Sequence, residues 1–176
     1  MRTPPGTRRP TVRIVQLDGA TLAALADGDL ARARDTSPVE LTEWLASPEC
    51  VSTWRRRAHQ VVETPEDAPW VTGVVWDDDE QRAVGRAGFH AAPDSDGRVE
   101  VGYGIDPVCR RRGYARAALE AMLARARAEP AVSTVRATVS PDNAASLALI
   151  AQYPFVENGE QWDDEDGLEI IYELTV

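Results

Sequence analysis

The stretch RVEVGYGIDPVCRRRGYARAALEAMLARARA, residues 98–128, reads as a strand, a turn and a helix in succession. Arg98 to Ile105 alternates, with Val99, Val101, Tyr103 and Ile105 on one face and Arg98, Glu100, Gly102 and Gly104 on the other. From Gly113 to Ala128 the period becomes helical: Ala115, Ala118, Leu119, Met122, Leu123 and Ala126 form one stripe, and Pro130 ends the run. A helix start exposes N–H groups without internal acceptors and the positive end of its dipole, so it suits a phosphate. Arg110, Arg111 and Arg112 add charge just before it, and Gly113 permits close backbone approach. By length alone such a turn is equally an ordinary solvated loop. Gly102 and Gly104 weaken the strand that feeds it and mark either a packing bulge or the close approach of a ligand. A ligand arm along this strand, with phosphates at the helix, accounts for both features.

Working outward, Val12 to Leu17 is a β-branched run, and Thr21 to about Leu30 a helix with Asp18 or Thr21 as cap. Ser37-Pro38 is expected to open a second helical region carrying Leu41, Trp44 and Leu45, and Ser52 another with Trp54, Ala58, Val61 and Val62. Val71 to Trp76 and Ala83 to Ala91 form a hairpin across Asp77 to Glu80, and residues 98–105 follow as its next strand. After the central helix, Thr134 to Val139 alternates, and Ser140-Pro141 has the form of a helix start running to about Gln152. Phe155 to about Trp162 and Leu168 to Val176 close the chain as strands joined through Asp166-Gly167. The order β-α-α-β-β-β-α-β-α-β-β implies an α/β (α+β) fold: a mixed, mostly antiparallel sheet of about seven strands flanked by helices.

The 176 residues suit one domain, expected over residues 11–176 behind a flexible, Pro-rich tail at residues 1–10. No apolar run approaches a membrane span and no secretory signal is present, so a soluble, cytoplasmic protein without membrane partners is expected. Net charge is -10, with 19 basic and 29 acidic side chains, which disfavours a nucleic-acid partner. Cys50 and Cys109 match no metal-ligand spacing and provide no disulfide framework, and His59 and His90 read as surface or packing residues, so no metal site is expected. Cys109 beside the arginines is either a thiol of lowered pKa or an incidental small residue.

Arg110-Arg111-Arg112-Gly113-Tyr114-Ala115 resembles the Q/R-x-x-G-x-G/A acetyl-CoA signature of the GNAT superfamily. Glu100 to Pro107, EVGYGIDP, is similar to the strand preceding that signature in the RimJ/RimL-like ribosomal-protein N-acetyltransferases, and Asn143 and Ser146 match the N-x-x-S element of the next helix. The resemblance runs from about Val12 to the end. It implies that Tyr103, Gly104 and Ile105 hydrogen-bond the pantetheine arm through the backbone, with a bulge parting this strand from the next. It further implies that the amides of Arg111, Arg112, Gly113, Tyr114 and Ala115 surround the pyrophosphate beside Arg110, and that Asn143 and Ser146 lie near the pantetheine and sulfur.

Acetyl transfer to an amine needs a base, N–H donors and an acid. Glu100 is either the base, directly or through water, or a solvated carboxylate paired with Arg98 or another arginine. The family helix often carries a tyrosine acid in an LYxxxGF pattern, but Leu149 to Phe155 here is LIAQYPF, with Ile150 in the tyrosine position and Pro154 for glycine. Ser146 is then the leading acid, against a plain backbone-bonding serine, with Tyr153 or water as substitutes. The acidic runs Asp77 to Glu80 and Asp163 to Asp166 are solvated hairpin ends, unless the second borders the acceptor site and selects cations. The expected activity is acetyl transfer from acetyl-CoA to a primary amine, on a protein N-terminus or a small molecule, in a ternary complex that releases coenzyme A. A non-catalytic acyl-CoA sensor and an antibiotic-modifying acetyltransferase are the alternatives, and a homodimer is a possible assembly.

Overall fold

The structure is a computed structural model that describes residues 9–164 and 167–176. The expected tail lies outside the described residues except for Arg9 and Pro10, and so does Asp166 of the last turn. In order the elements are β1 (Val12–Val15), α1 (Gly19–Ala26), α2 (Leu30–Thr36), α3 (Pro48–Glu63), β2 (Gly73–Asp77), β3 (Arg82–Phe89), β4 (Arg98–Ile105), α4 (Tyr114–Ala128), β5 (Thr134–Val139), α5 (Ala144–Ile150), β6 (Val156–Asp163) and β7 (Gly167–Thr175).

The helical arm departs from the sequence expectation. Asp18 caps α1 by accepting the Thr21 N–H at 2.8 Å, Gly28 ends it at φ +72, and Asp29 caps a separate α2 through the Arg32 N–H at 3.0 Å. Three helices therefore precede β2, but α2 starts at Leu30, where the first expected helix was to end, and none opens at Ser37. Ser37-Pro38 opens no helix, because the Ser37 hydroxyl donates to the Val39 carbonyl at 2.7 Å and the chain stays irregular until a 3-10 turn at Glu43–Ala46. The serine-proline start is used ten residues later, at Ser47-Pro48. Ser140-Pro141 likewise makes a turn first. Asn143 is the cap of α5, its side chain accepting the Ser146 N–H at 3.1 Å.

The strands form one seven-stranded sheet in the order β1-β2-β3-β4-β5-β7-β6. Neighbours are antiparallel except β4 and β5, which run parallel. On the arm side, Leu22, Leu25, Leu41, Leu45 and Trp54 pack with Val74, Trp76 and Ala83. Leu119, Met122, Leu123, Leu149 and Ile150 from α4 and α5 pack with Val75, Val84, Val99, Val101 and Val135. Each such buried side chain contributes about 1.5–3 kcal/mol, and together the two layers hold the sheet from both faces. Trp54 also donates from its buried ring nitrogen to the Leu45 carbonyl at 2.6 Å, which ties α3 to the turn before it.

One feature of the sheet makes room for a site. The parallel β4–β5 ladder runs only from Arg98↔Thr134 to Glu100↔Arg136. On its other edge β4 stays paired with β3, from Gly85↔Ile105 to Phe89↔Val101, without a register shift. The bulge expected near Gly102 and Gly104 is therefore absent from that ladder, and the strands part because the β4–β5 pairing stops at Glu100. The backbone edge of Tyr103, Gly104 and Ile105 that would face β5 has no strand opposite it, and such an edge retains donors and acceptors for an extended ligand.

Candidate functional site

Two clefts meet where β4 leaves β5, sharing Tyr103, Asn143 and Ser146. The first, of 580 Å³, runs from Tyr103, Gly104 and Ile105 past Arg110 and Arg111 to Gly113, Tyr114 and Ala115, so the residues expected to hold the cofactor line one cleft, except Arg112, which lies outside it. The second, of 530 Å³, lies toward the helical arm and is lined by Arg57, Arg86, His90, Glu100, Asp163 and Glu169 among others.

In the first cleft the backbone supplies most of the anion chemistry. Gly113 precedes α4 at φ +87 and makes no side-chain cap, whereas Asp18, Asp29 and Asn143 cap α1, α2 and α5. The first-turn N–H groups of α4 are thus left to an outside acceptor. Arg111 is also left-handed, at φ +60, so the turn is bent twice within three residues, in the manner of an anion-binding nest. The arginines are less available than their sequence suggests. Arg110 folds back, its Nε donating to the Ile105 carbonyl at 3.0 Å and its guanidinium meeting Glu49 at 3.3 Å. Arg112 pairs with Glu80 and lies over the Tyr114 ring. Tyr114 can serve a ligand only through its backbone, because its side chain is buried and its hydroxyl donates to buried Asp77 at 2.6 Å. Cys109 is buried and accepts from Arg82 at 3.2 Å; burial raises its thiol pKa, so it is an inert core sulfur rather than an activated one.

The second cleft centres on Glu100. Its Oε1 lies 3.2 Å from His90 Nδ1 and accepts the Thr138 hydroxyl at 2.8 Å. Burial pushes this carboxyl up, but the bond and charge of His90, the bond from Thr138 and the charge of Arg136 more than offset it, and the group is held below the ordinary carboxylate value. The solvated pairing with Arg98 is not what forms, since Arg98 meets Asp94 and Glu173 instead. In the neutral tautomer with Nδ1–H directed at the carboxylate, the imidazole lone pair is on Nε2. That nitrogen lies 2.9 Å from where a Cβ on Gly102 would stand, so Gly102 is the floor beneath the imidazole.

Sequence reasoning set His90 aside for want of metal spacing. The signal available was the hairpin itself: an antiparallel β3–β4 register places His90 opposite Glu100, and the His90 N–H bonds the Glu100 carbonyl at 2.8 Å. Arg57 and Arg86 were missed as well. Arg57 is buried, with Nε donating to the Thr72 hydroxyl at 3.2 Å and Nη1 to Gln60 at 2.7 Å and the His90 carbonyl at 3.1 Å, which fixes the end of β3.

At the junction, the Tyr103 hydroxyl is buried next to Ser146 without completing a hydrogen bond. Burial raises its pKa and Ser146 opposes that rise. Ile150 is buried in the core, and Tyr153 donates to Glu120 on α4 at 2.9 Å, so neither presents a hydroxyl to the junction. Asp163 and Glu169 line the second cleft, placing part of the expected acidic hairpin end beside it.

A seven-stranded mixed sheet that opens after a short parallel pair, with an uncapped glycine helix start at the opening, is an acyl-CoA N-acyltransferase fold. Residues 13–156 match the acetyltransferase (GNAT) domain, and the chain belongs to that family of acyltransferases, which use acetyl-CoA. It is 30% identical over 80 residues to the uncharacterized N-acetyltransferase YjdG of Bacillus subtilis (strain 168), a match spanning 46% of this chain and 48% of that relative. The fold is similar to that of a spermidine N-acetyltransferase SpeG chimera from Vibrio cholerae and hSSAT, with TM-score 0.65 and 13% identity over 94% of this chain and 95% of that one. It is also similar to RimL, a ribosomal L7/L12 alpha-N-protein acetyltransferase solved with coenzyme A, with TM-score 0.62 and 14% identity over 94% of each chain. No described helix is long and apolar enough to cross a membrane.

Proposed function

We propose that this protein is a cytoplasmic N-acetyltransferase of the RimJ/RimL-like branch that moves acetyl from acetyl-CoA to a primary amine, of a small molecule or a protein N-terminus, in a ternary complex. The observation that carries the reading is the meeting of two clefts at Tyr103 and Ser146, one ending at the uncapped start of α4 and the other at the His90–Glu100 pair. The backbone of Tyr103, Gly104 and Ile105 would hold the pantetheine arm, and the amides of Arg111 to Ala115 the pyrophosphate. Asn143 contributes by capping α5 and so placing Ser146.

The thioester supplies an activated acyl group; the protein moves the protons. Glu100 orients His90, whose Nε2 takes the proton that the amine loses as its nitrogen bonds to the acetyl carbon. Ser146, beside Tyr103, gives a proton to the thiolate released as the carbon–sulfur bond breaks. The direct test is thiol release from acetyl-CoA over a panel of small amines and peptides. Turnover on at least one amine is expected; cofactor binding without turnover on any would mark a sensor, and absence of cofactor binding would overturn the reading altogether.

A further inference from the structure

The acceptor cleft has a second fixed charge that the transfer chemistry does not use. Arg86 stands on β3 opposite Gly104, on the same face as His90. Its guanidinium carbon lies 3.5 Å from where a Cβ on Gly104 would stand, just as His90 Nε2 lies over Gly102. Gly102 and Gly104 are same-face positions about 7 Å apart on β4, so the imidazole and the guanidinium stand over neighbouring places on a floor without side chains. Arg86 Nε is buried without a hydrogen-bond partner. A buried guanidinium N–H left unpaired is costly, and a carboxylate is the ligand whose two oxygens match its fork.

The neighbouring charges point the same way. Arg56 and Arg57 line the same wall, and Arg57 is lowered to about 10 by burial first and then by the charges of Arg56 and Arg86. Glu49, the nearest carboxylate of α3, is engaged by Arg110 and by the Trp44 ring N–H. Cys50, whose thiol pKa burial raises against the charge and hydrogen bond of Arg86, is a weak partner for that guanidinium and leaves its Nε unpaired. Asp163 and Glu169 belong to the β6–β7 hairpin. The arginines of α3 and β3 thus form a basic side of a cleft whose opposite side carries Asp163 and Glu169, and that side suits the negative end of an acceptor that also carries an amine.

We propose that Arg86 is a carboxylate subsite and that the acceptor is an amino acid with a free carboxylate, its amine delivered to His90 and its carboxylate to Arg86. This rests on the acetyl-transfer reading for its chemistry, but binding tests it independently. The experiment titrates the coenzyme A-bound protein with free amino acids, the matching amino-acid amides and spermidine by calorimetry, and measures thiol release with the same panel and a peptide. A free amino acid is expected to bind at least tenfold more tightly than its amide, with the same order in kcat/KM. Arg86→Gln is expected to erase that preference by raising KM, and Arg86→Lys to restore part of it. Retained coenzyme A affinity shows that each variant is folded. Equal binding of acid and amide, preference for spermidine or the peptide, no binding of any amino acid, or an unchanged preference in Arg86→Gln would overturn the proposal. Arg86-dependent binding without turnover would leave the subsite standing and remove the acetyltransferase reading instead.

Discussion

His90 Nδ1 and Glu100 Oε1 lie 3.2 Å apart across the β3–β4 ladder, and Thr138 from β5 donates to the same oxygen at 2.8 Å. Three strands thus converge on one carboxylate just where the parallel pairing of β4 and β5 ends. The division of labour that follows, with Glu100 positioning and His90 taking the proton, separates two variants. His90→Gln is expected to lower kcat by about 10²–10⁴-fold and to remove the limb of the pH–rate profile that the general base supplies. Glu100→Gln should lower kcat less while keeping that limb, and an unshifted profile in His90→Gln would remove the imidazole as base.

The same carboxylate carries a stability signature. Its folded pKa is below the ordinary value, so its contribution is present above the unfolded pKa and is lost as pH falls through the folded one. Denaturant unfolding of Glu100→Gln and the parent should differ most near pH 7, by about 1.5–3 kcal/mol for its charged hydrogen bonds, and converge in acid. A difference independent of pH would show that Glu100 acts through packing alone.

Gly102→Ala probes the imidazole without removing it. The new methyl would stand 2.9 Å from His90 Nε2, and the clash falls on the end of a side chain that can swing away. The fold should survive, with a thermal midpoint within a few degrees of the parent, while kcat falls by about tenfold or more through misplacement of the ring. Unchanged kcat would mean that the ring has no fixed role.

At the cofactor turn, Gly113→Glu is expected to abolish coenzyme A binding measured by calorimetry, because it sets negative charge beside the unpaired N–H groups of α4. Gly113→Ala separates charge from conformation: at φ +87 it costs about 1–2 kcal/mol of strain and should weaken affinity only modestly. Full affinity in Gly113→Glu would refute the turn as the phosphate site.

Tyr114→Phe deletes the 2.6 Å bond to Asp77 and leaves a buried carboxylate short of a donor, although the Asp79 and Glu80 N–H groups still reach it. A loss of about 1–3 kcal/mol in unfolding free energy is expected, with coenzyme A affinity retained because the backbone at 114 is unchanged. A selective loss of affinity at constant stability would instead place the tyrosine side chain in the cofactor site.

Much of this architecture is legible locally. Period-two alternation marks β4 and β5 at the bounds they adopt, and the apolar stripe of α4 marks the helix to within one residue. The phosphate turn is legible too, since a glycine ahead of a helix acts through backbone conformation and needs no distant partner. Local signals mislead where several compete. Ser37-Pro38 and Ser47-Pro48 carry the same start signal, and the Ser37 bond to the Val39 carbonyl together with the docking of Leu41, Leu45 and Trp54 beneath the sheet decides between them.

The sequence by itself determined the strand, turn and helix start on which the proposed cofactor half rests, because residues 103–115 are consecutive and their conformation is local. The acceptor half was decided by tertiary structure. His90 and Glu100, Arg86 and Gly104, and Tyr103 and Ser146 are separated along the chain and meet only through strand register and the early end of the β4–β5 pairing. Register also gave Gly102 and Gly104 their separate places, one beneath His90 and the other beneath Arg86. A glycine in a strand announces that something comes close; which side chain does so is set by the neighbouring strand.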